Sequence, residues 1–159
     1  MQTQTPPLQE GVAQTTKTTF TRTTAVQTLI HADPTIIWAL LTNASDFNRW
    51  NSTVVSIEGQ IRLGETIKLK STLDEKRTFK LKVKGFTSEQ QLVWGDGQGE
   101  RVYTLEPVDA NTIRFSMTER IGGLMFPLYG RFIPSFDASF EQFAADLKAE
   151  AEHIQQSQG

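Results

Sequence analysis

The chain has 159 residues, a formal net charge of −2 and no cysteine. This length suits a single domain with one hydrophobic core, and the slightly acidic balance argues against a dedicated nucleic-acid-binding protein. The lack of cysteine excludes disulfides, thiol nucleophiles and cysteine-ligated zinc, and no stretch approaches the roughly 18 to 20 consecutive apolar residues of a transmembrane helix.

The N-terminal segment is rich in Gln and Thr, and it lacks the basic start and apolar middle of a signal peptide. Because it has too little apolar surface to offset the entropy lost on ordering, we predict a disordered tail over residues 1–18. A single domain is then expected over residues 19–157. A cytoplasmic location is the default expectation.

The first elements are a strand and two short helices. Residues 25–32 alternate loosely and are rich in β-formers, which predicts a strand. Asp33 can cap a helix that has Pro34 at its first position, where no N–H donor is needed. The spacing predicts an apolar helix over residues 35–42 and a second short helix over residues 46–50.

From residue 53 the apolar period changes to two, which is typical of β-strands. Apolar side chains then face one side of the sheet, and lysines face the other. The predicted strands span residues 53–61, 66–73, 77–86, 91–94, 100–106 and 112–121.

The C-terminal region returns to helical spacing, because apolar residues recur there at three- and four-residue steps. This pattern predicts one helix of about 20 residues with a single apolar face. The face is formed by Phe136, Phe140, Phe143, Leu147, Ala151 and Ile154.

A sheet of six or seven strands must bury one face, and only one long helix is available to cover it. A twisted sheet can curl around that helix and leave a cavity lined by large apolar side chains. The alternative, in which these side chains meet and fill the core, stays open at this point. The candidate lining residues are Leu69, Phe79, Leu81, Trp94, Tyr103, Phe115, Met117, Phe136, Phe140 and Phe143.

Several stretches resemble the START-like superfamily, also called the Bet v 1-like or SRPBCC superfamily, and its bacterial polyketide cyclase/dehydrase-type branch in particular. The stretches are HADP at 31–34, DFNRWN at 46–51, GERVY at 99–103, TIRFSMTE at 112–119 and SFEQF at 139–143. The resemblance implies an α+β helix-grip fold: a curved antiparallel sheet of six to seven strands wrapped around a long C-terminal helix, with two short helices after the first strand. It also implies that Trp50 lies near the cavity mouth. Because this fold serves many functions, the resemblance is specific for fold only.

Two side chains are candidates for acid–base chemistry. Glu119 follows Phe115 and Met117 at two-residue spacing, so it should face the cavity, although its place at a strand end favours exposure to water instead. Tyr103 is the other candidate proton donor. The sequence shows no Ser-His-Asp order, no metal-ligand spacing and no phosphate-binding glycine loop, so no metal or cofactor is expected.

A loop over residues 122–130 carries large apolar residues between glycines. Exposing this much apolar area needs a reason, and a flexible lid over the cavity is one. A homodimer contact, a membrane-contacting lip and a short helix folded onto the core are the alternatives. The candidate lid residues are Leu124, Met125, Phe126, Leu128 and Tyr129.

These observations favour a carrier, sensor or sequestering protein for a hydrophobic small molecule, lipid-like or polycyclic. The alternative is a polyketide cyclase/dehydrase-like enzyme in which Glu119 or Tyr103 moves a proton. The third hypothesis is a protein-interaction module that uses the outer lysine face. That face carries Lys68, Lys70, Lys80, Lys82 and Lys84.

Overall fold

The computed structural model describes residues 7–158, which form an α+β fold with a curved, fully antiparallel sheet around a long C-terminal helix. The strands are β1 (Gln14–Lys17), β2 (Thr21–Ile30), β3 (Val54–Glu58), β4 (Thr66–Ser71), β5 (Asp74–Thr87), β6 (Gln91–Gly95), β7 (Gly99–Asp109) and β8 (Thr112–Gly122). The helices are α1 (Pro34–Thr42), α2 (Phe47–Trp50), α3 (Phe126–Tyr129) and α4 (Asp137–Gln158). The predicted helix-grip arrangement is confirmed.

The sheet has eight strands in the order β1-β2-β8-β7-β6-β5-β4-β3, one more than the sequence predicted at most. The additional strand comes from the segment for which a disordered tail was predicted, and that prediction is wrong for Gln14–Lys17. Ladder hydrogen bonds to β2 order this segment, and Ala13 N also donates to Glu141 Oε2 at 2.9 Å. Residues 1–6 of the predicted tail lie outside the described residues.

Helix α1 begins as its sequence predicts. Asp33 is extended and its Oδ1 accepts from Thr35 N at 2.8 Å, while Pro34 takes the first helical position. The cap satisfies one of the N–H groups that the first helical turn leaves without a partner. The helix then buries Ile37, Trp38, Leu40 and Leu41.

The two faces of the sheet differ as the alternation predicts. Ile67, Leu69 and Val83 are buried, while the lysines between them point outward. Lys68 lies directly opposite Lys80 in the β4–β5 ladder, so two like charges share the outer face. The hydrophobic core therefore lies on the concave side of the sheet only.

Helix α4 crosses this concave side and packs mainly against β2 and α1. Its predicted apolar face is confirmed, because Phe140, Phe143, Leu147 and Ala151 are buried. Leu147 has no exposed surface. No helix within residues 7–158 combines the length and the hydropathy needed to cross a lipid bilayer.

Candidate functional site

A cavity of about 240 Å³ lies between the concave side of the sheet and the segment 129–136, which leads from α3 into α4. Strands β4 to β8 supply one wall and the segment supplies the other. Among the lining residues are Leu69, Phe79, Leu81, Trp94 and Phe136, which the sequence pattern assigns to the cavity. The structure therefore brings these five side chains together around one space.

The rest of the concave side is filled by aromatic rings. Phe143 of α4 packs against Tyr103 and Phe115, with ring centroids 5.7 and 6.2 Å apart. On another side Phe143 contacts Phe47 and Trp50, each at 6.0 Å between centroids. The remaining candidate lining residues belong to this packed core and lie outside the cavity wall: Trp50, Tyr103, Phe115, Met117, Phe140 and Phe143.

An ion pair lies in the cavity wall. Arg101 of β7 and Glu119 of β8 are direct neighbours in the ladder, and Arg101 Nε donates to Glu119 Oε1 at 2.9 Å. Both side chains are mostly buried, and both line the cavity. The Arg101 guanidinium also lies over the Phe140 ring, 5.0 Å from its centroid. The strand phase predicted for Glu119 thus places its carboxylate at the cavity rather than in open solvent.

Tyr103 is linked to this pair. Arg101 Nη1 lies 3.5 Å from the Tyr103 hydroxyl. Burial raises the pKa of Tyr103 to about 12, although the positive charge of Arg101 opposes the shift. Burial alone would lower the pKa of Arg101, but the attraction of Glu119 and the hydrogen bonds of the guanidinium outweigh it and raise that pKa. At neutral pH Arg101 is therefore a cation beside a protonated phenol.

The pair keeps hydrogen-bonding capacity for a ligand. A guanidinium has five N–H donors, and a carboxylate has two acceptor oxygens. Within residues 7–158, the hydrogen bonds of Arg101 use Nε and Nη1, and Glu119 accepts with Oε1. The pair can therefore donate to a ligand carbonyl and accept from a ligand hydroxyl at the same place.

The apolar loop over residues 122–130 contains both buried and exposed side chains. Phe126 is buried against Tyr129, with ring centroids 5.6 Å apart, and Tyr129 lines the cavity. Gly130 permits this packing, because a Cβ there would lie 2.7 Å from Cζ of Phe126. Leu124, Met125 and Leu128 are exposed instead. A short helix forms, as one alternative held, but Phe126 packs within this segment and is not part of the main hydrophobic core.

Other residues that line the cavity are not among the candidates that the sequence pattern predicts. Ile121 continues the alternation of Phe115, Met117 and Glu119, so the signal for it was present. Ile133 lies in an irregular segment without a repeating pattern. Arg77 of β5 places its guanidinium 4.5 Å from the centroid of the Phe79 ring. Ile133 borders the cavity because segment 129–136 folds over the strands, a contact between distant parts of the chain that no local pattern predicts.

The described part of the chain holds no group of three or more His, Asp or Glu residues placed to bind a metal ion. The polar groups at the cavity are instead the Arg101–Glu119 pair and exposed residues such as Asp74, Gln98 and Glu100. The site therefore offers hydrogen bonds, one balanced charge pair and apolar surface.

Comparison with solved structures decides the fold. A START superfamily protein from Mycobacterium smegmatis superimposes with a TM-score of 0.60 over 83% of this chain and 98% of its own, at 11% sequence identity. This chain has the START-like fold. Neither a protein-family model nor a curated protein matches the sequence.

Other proteins share this START-like fold at similarly low identity. A conserved protein of unknown function from Enterococcus faecalis has a TM-score of 0.62 and 13% identity, over 92% of this chain and 89% of that one. A putative protein of the dynemicin biosynthetic locus has a TM-score of 0.64 and 15% identity, over 84% of this chain and 48% of that one. Similarity at this level establishes the architecture and leaves function to be argued from the site.

Proposed function

We propose that the protein binds a small, mainly apolar molecule with one polar group, and acts as its carrier, sensor or sequestering protein. The observation that carries the proposal is the Arg101–Glu119 pair in the wall of a cavity that is otherwise lined mainly by apolar side chains. Concave sites that combine apolar walls with a few fixed polar groups are typical of ligand pockets. The apolar walls would supply affinity, and the pair would fix the orientation of the ligand.

The size of the cavity restricts the ligand. A volume of about 240 Å³ lies just below the roughly 300–1,000 Å³ usual for small-molecule pockets. We therefore expect a compact lipid-like or polycyclic molecule. Phe79, Trp94 and Phe136 present aromatic surface to it, which suits a flat ring system.

The polar group of the ligand follows from the charge of the pair. Because Arg101 and Glu119 neutralise each other, a ligand carboxylate would meet the Glu119 charge as well as Arg101. A neutral hydroxyl or carbonyl group can use the remaining donors and acceptors without that repulsion. A neutral oxygen-containing ligand is therefore the best match.

Cavity filling tests the proposal. Leu81→Trp should occupy the cavity from its wall, whereas Leu63→Trp adds the same side chain at an exposed position outside the lining. A fluorescent apolar dye should bind the wild type and Leu63→Trp but not Leu81→Trp. The same is expected of any small molecule that is released by denaturing the purified protein and identified by mass spectrometry. If the folded wild type releases no compound and binds no apolar dye, the proposal is contradicted.

A second candidate function is catalysis of the cyclase or dehydrase kind. The observation that favours it is that the Glu119 carboxylate lines the cavity, where it could reach a proton of a bound molecule, while Arg101 fixes its orientation. Glu119→Gln should then abolish turnover of an accepted substrate while the substrate still binds. Glu106→Gln is the matched control, because Glu106 pairs with Arg114 across the same two strands but outside the cavity lining. Unchanged turnover in Glu119→Gln would exclude this role.

A further inference from the structure

Five exposed large apolar side chains lie in two segments that a backbone hydrogen bond holds side by side. The group, called here the apolar rim, consists of Phe20, Leu124, Met125, Leu128 and Phe132. Leu124 is 86% exposed and Phe132 is 72% exposed. Phe20 lies in the turn between β1 and β2, and its carbonyl accepts from Gly123 N at 3.0 Å, which holds that turn beside the loop. Contiguous apolar surface of this kind usually marks a contact site.

The sequence around the apolar rim carries positive charge only. Residues 14–23 contain Lys17 and Arg22, residues 120–136 contain Arg120 and Arg131, and neither stretch contains Asp or Glu. The whole chain has a formal charge of −2. The two segments that carry the rim therefore hold four basic residues and no acidic one, with Glu119 and Asp137 flanking the second segment. This excess of positive charge on a chain of negative net charge favours an anionic partner.

A hollow of about 220 Å³ lies beside the rim. Its walls include the cationic side chains of Lys17, Arg22 and Arg131 and the hydroxyl groups of Thr15 and Ser135. Asp137 also contributes to the wall, but its carboxylate accepts a hydrogen bond from the Thr15 hydroxyl. The hollow thus combines three cations with one carboxylate, which leaves an excess of two positive charges in its wall.

Arg22 makes this hollow unusual. Its side chain is buried, and it donates from Nη1 to Ile133 O at 3.1 Å and from Nη2 to Pro134 O at 2.8 Å. Within the described chain its buried Nε has no hydrogen-bond partner. The guanidinium therefore brings a positive charge into the wall with neutral carbonyl groups as its hydrogen-bond partners. Burial lowers its pKa, and the negative charges of Glu119 and Asp137 nearby partly oppose that shift.

We propose that the apolar rim and the basic hollow together dock the protein on the surface of an anionic lipid bilayer. Leu124, Met125 and Leu128 would enter the boundary between headgroups and acyl chains, and an anionic headgroup would lie at the hollow. Apolar residues flanked by basic ones are the pattern of peripheral membrane binding. Each Lys or Arg near an anionic surface contributes about 1 kcal/mol, an effect that salt weakens.

This inference goes beyond the proposed ligand, since docking needs no occupied cavity. The two sites nevertheless adjoin, because Phe132 belongs to the rim and also lines the cavity, and Ile133 lines both the cavity and the hollow. A docked protein would therefore present its cavity wall to the bilayer. A molecule dissolved in the membrane could reach the cavity by this route.

Flotation with lipid vesicles tests the inference. The wild type should bind vesicles of equal parts phosphatidylcholine and phosphatidylserine, and bind phosphatidylcholine vesicles much less. Lys17→Gln with Arg131→Gln should weaken binding to the anionic vesicles roughly 30-fold at low salt, since two basic residues are lost. Leu124→Ser with Leu128→Ser should weaken it by a similar factor.

Two control variants locate the effect. Lys68→Gln with Lys80→Gln removes two cations from the outer lysine face, and Leu63→Ser with Val108→Ser removes exposed apolar residues elsewhere. Both should bind the anionic vesicles as the wild type does, and so should Leu81→Trp, which separates docking from cavity occupancy. The inference is overturned if the wild type binds no vesicles. It is also overturned if binding is lost only when the outer lysines are replaced. If the wild type binds no vesicles but self-associates, and Leu124→Ser with Leu128→Ser disrupts that self-association, the apolar rim is a contact with a second copy of the chain instead.

Discussion

The concave side of the sheet has a filled half and an open half. In the filled half, Phe143 lies among Phe47, Trp50, Tyr103 and Phe115, and all five rings are buried. In the open half, inward-facing residues such as Phe79 and Leu81 are only partly buried and surround the cavity. The two halves share the same strand alternation, so the alternation does not determine which half is filled.

The difference comes from what covers each half. Helix α4 places Phe140, Phe143 and Leu147 directly on the sheet, and their volume closes the filled half. Over the open half the cover is the irregular segment 129–136, and the cavity remains between it and the strands. The side of the sheet to which a side chain points is thus set by the local strand alternation. Whether the space in front of that side chain is filled depends on the element that packs opposite it.

The largest effect should come from a charge placed under α4 in the filled half. Leu147→Asp buries a carboxylate without a partner and also removes apolar volume, so we expect a loss of at least about 4 kcal/mol in the free energy of unfolding. Urea denaturation followed by circular dichroism measures it. Ala149→Asp, which adds the same charge at an exposed position of the helix, is the control. A stable Leu147→Asp protein would contradict the position of α4.

Truncating one aromatic ring in each half tests the comparison directly. Phe143→Ala removes a ring enclosed by four others and should cost about 3–5 kcal/mol. Phe79→Ala removes a ring that already borders a cavity, so its loss should be nearer 1–2 kcal/mol. The same denaturation experiment gives both values. Equal losses would mean that the open half is as well packed as the filled half.

A charge substitution in the open half should change the ligand preference of the cavity. Glu119→Gln leaves Arg101 as an unbalanced cation in the cavity wall. We expect the affinity for anilinonaphthalene sulfonate, an apolar dye with an anionic group, to rise roughly tenfold, about 1.4 kcal/mol. Fluorescence titration measures it, with Glu106→Gln as the control. A lower dye affinity would contradict the assignment of Arg101 to the ligand site.

The smallest effect concerns Glu152, which lies near the C-terminal end of α4 and does not line the cavity. Glu152 Oε2 accepts from His31 N at 2.9 Å and from Lys148 Nζ at 3.1 Å. Partial burial raises the pKa of Glu152, but hydrogen bonds to His31 and Lys148 outweigh burial and hold that pKa below its usual value. The stabilisation is therefore present at neutral pH and is lost as the pH falls through the lowered pKa.

Glu152→Gln should accordingly destabilise the protein by less than about 1 kcal/mol at neutral pH, because water screens these groups. The difference between variant and wild type should disappear in acid. Thermal unfolding at a series of pH values follows it, with Glu75→Gln as the control, because Glu75 is exposed and its carboxylate has no hydrogen-bond partner within the described residues. A difference that grows towards low pH would reverse the assigned sign.

The sequence was informative where the pattern is local. The Asp33 cap, the strand alternation and the apolar face of α4 follow from neighbouring residues, and each is found in the structure. It was less informative where distant elements meet. Whether Tyr103 or Leu81 borders a cavity depends on the element opposite, and residues 14–17 become a strand only because β2 offers them partners.

The N-terminal strand has a practical consequence for the protein in solution. Residues 10–17 run along β2, with Glu10 Oε1 accepting from Leu29 N at 2.8 Å and Gln14–Lys17 completing the ladder. A truncation at residue 19 would leave the N–H and C=O groups of β2 unpaired along that side. Such a strand can recruit a strand of another molecule, so the shortened chain should be prone to edge-to-edge aggregation.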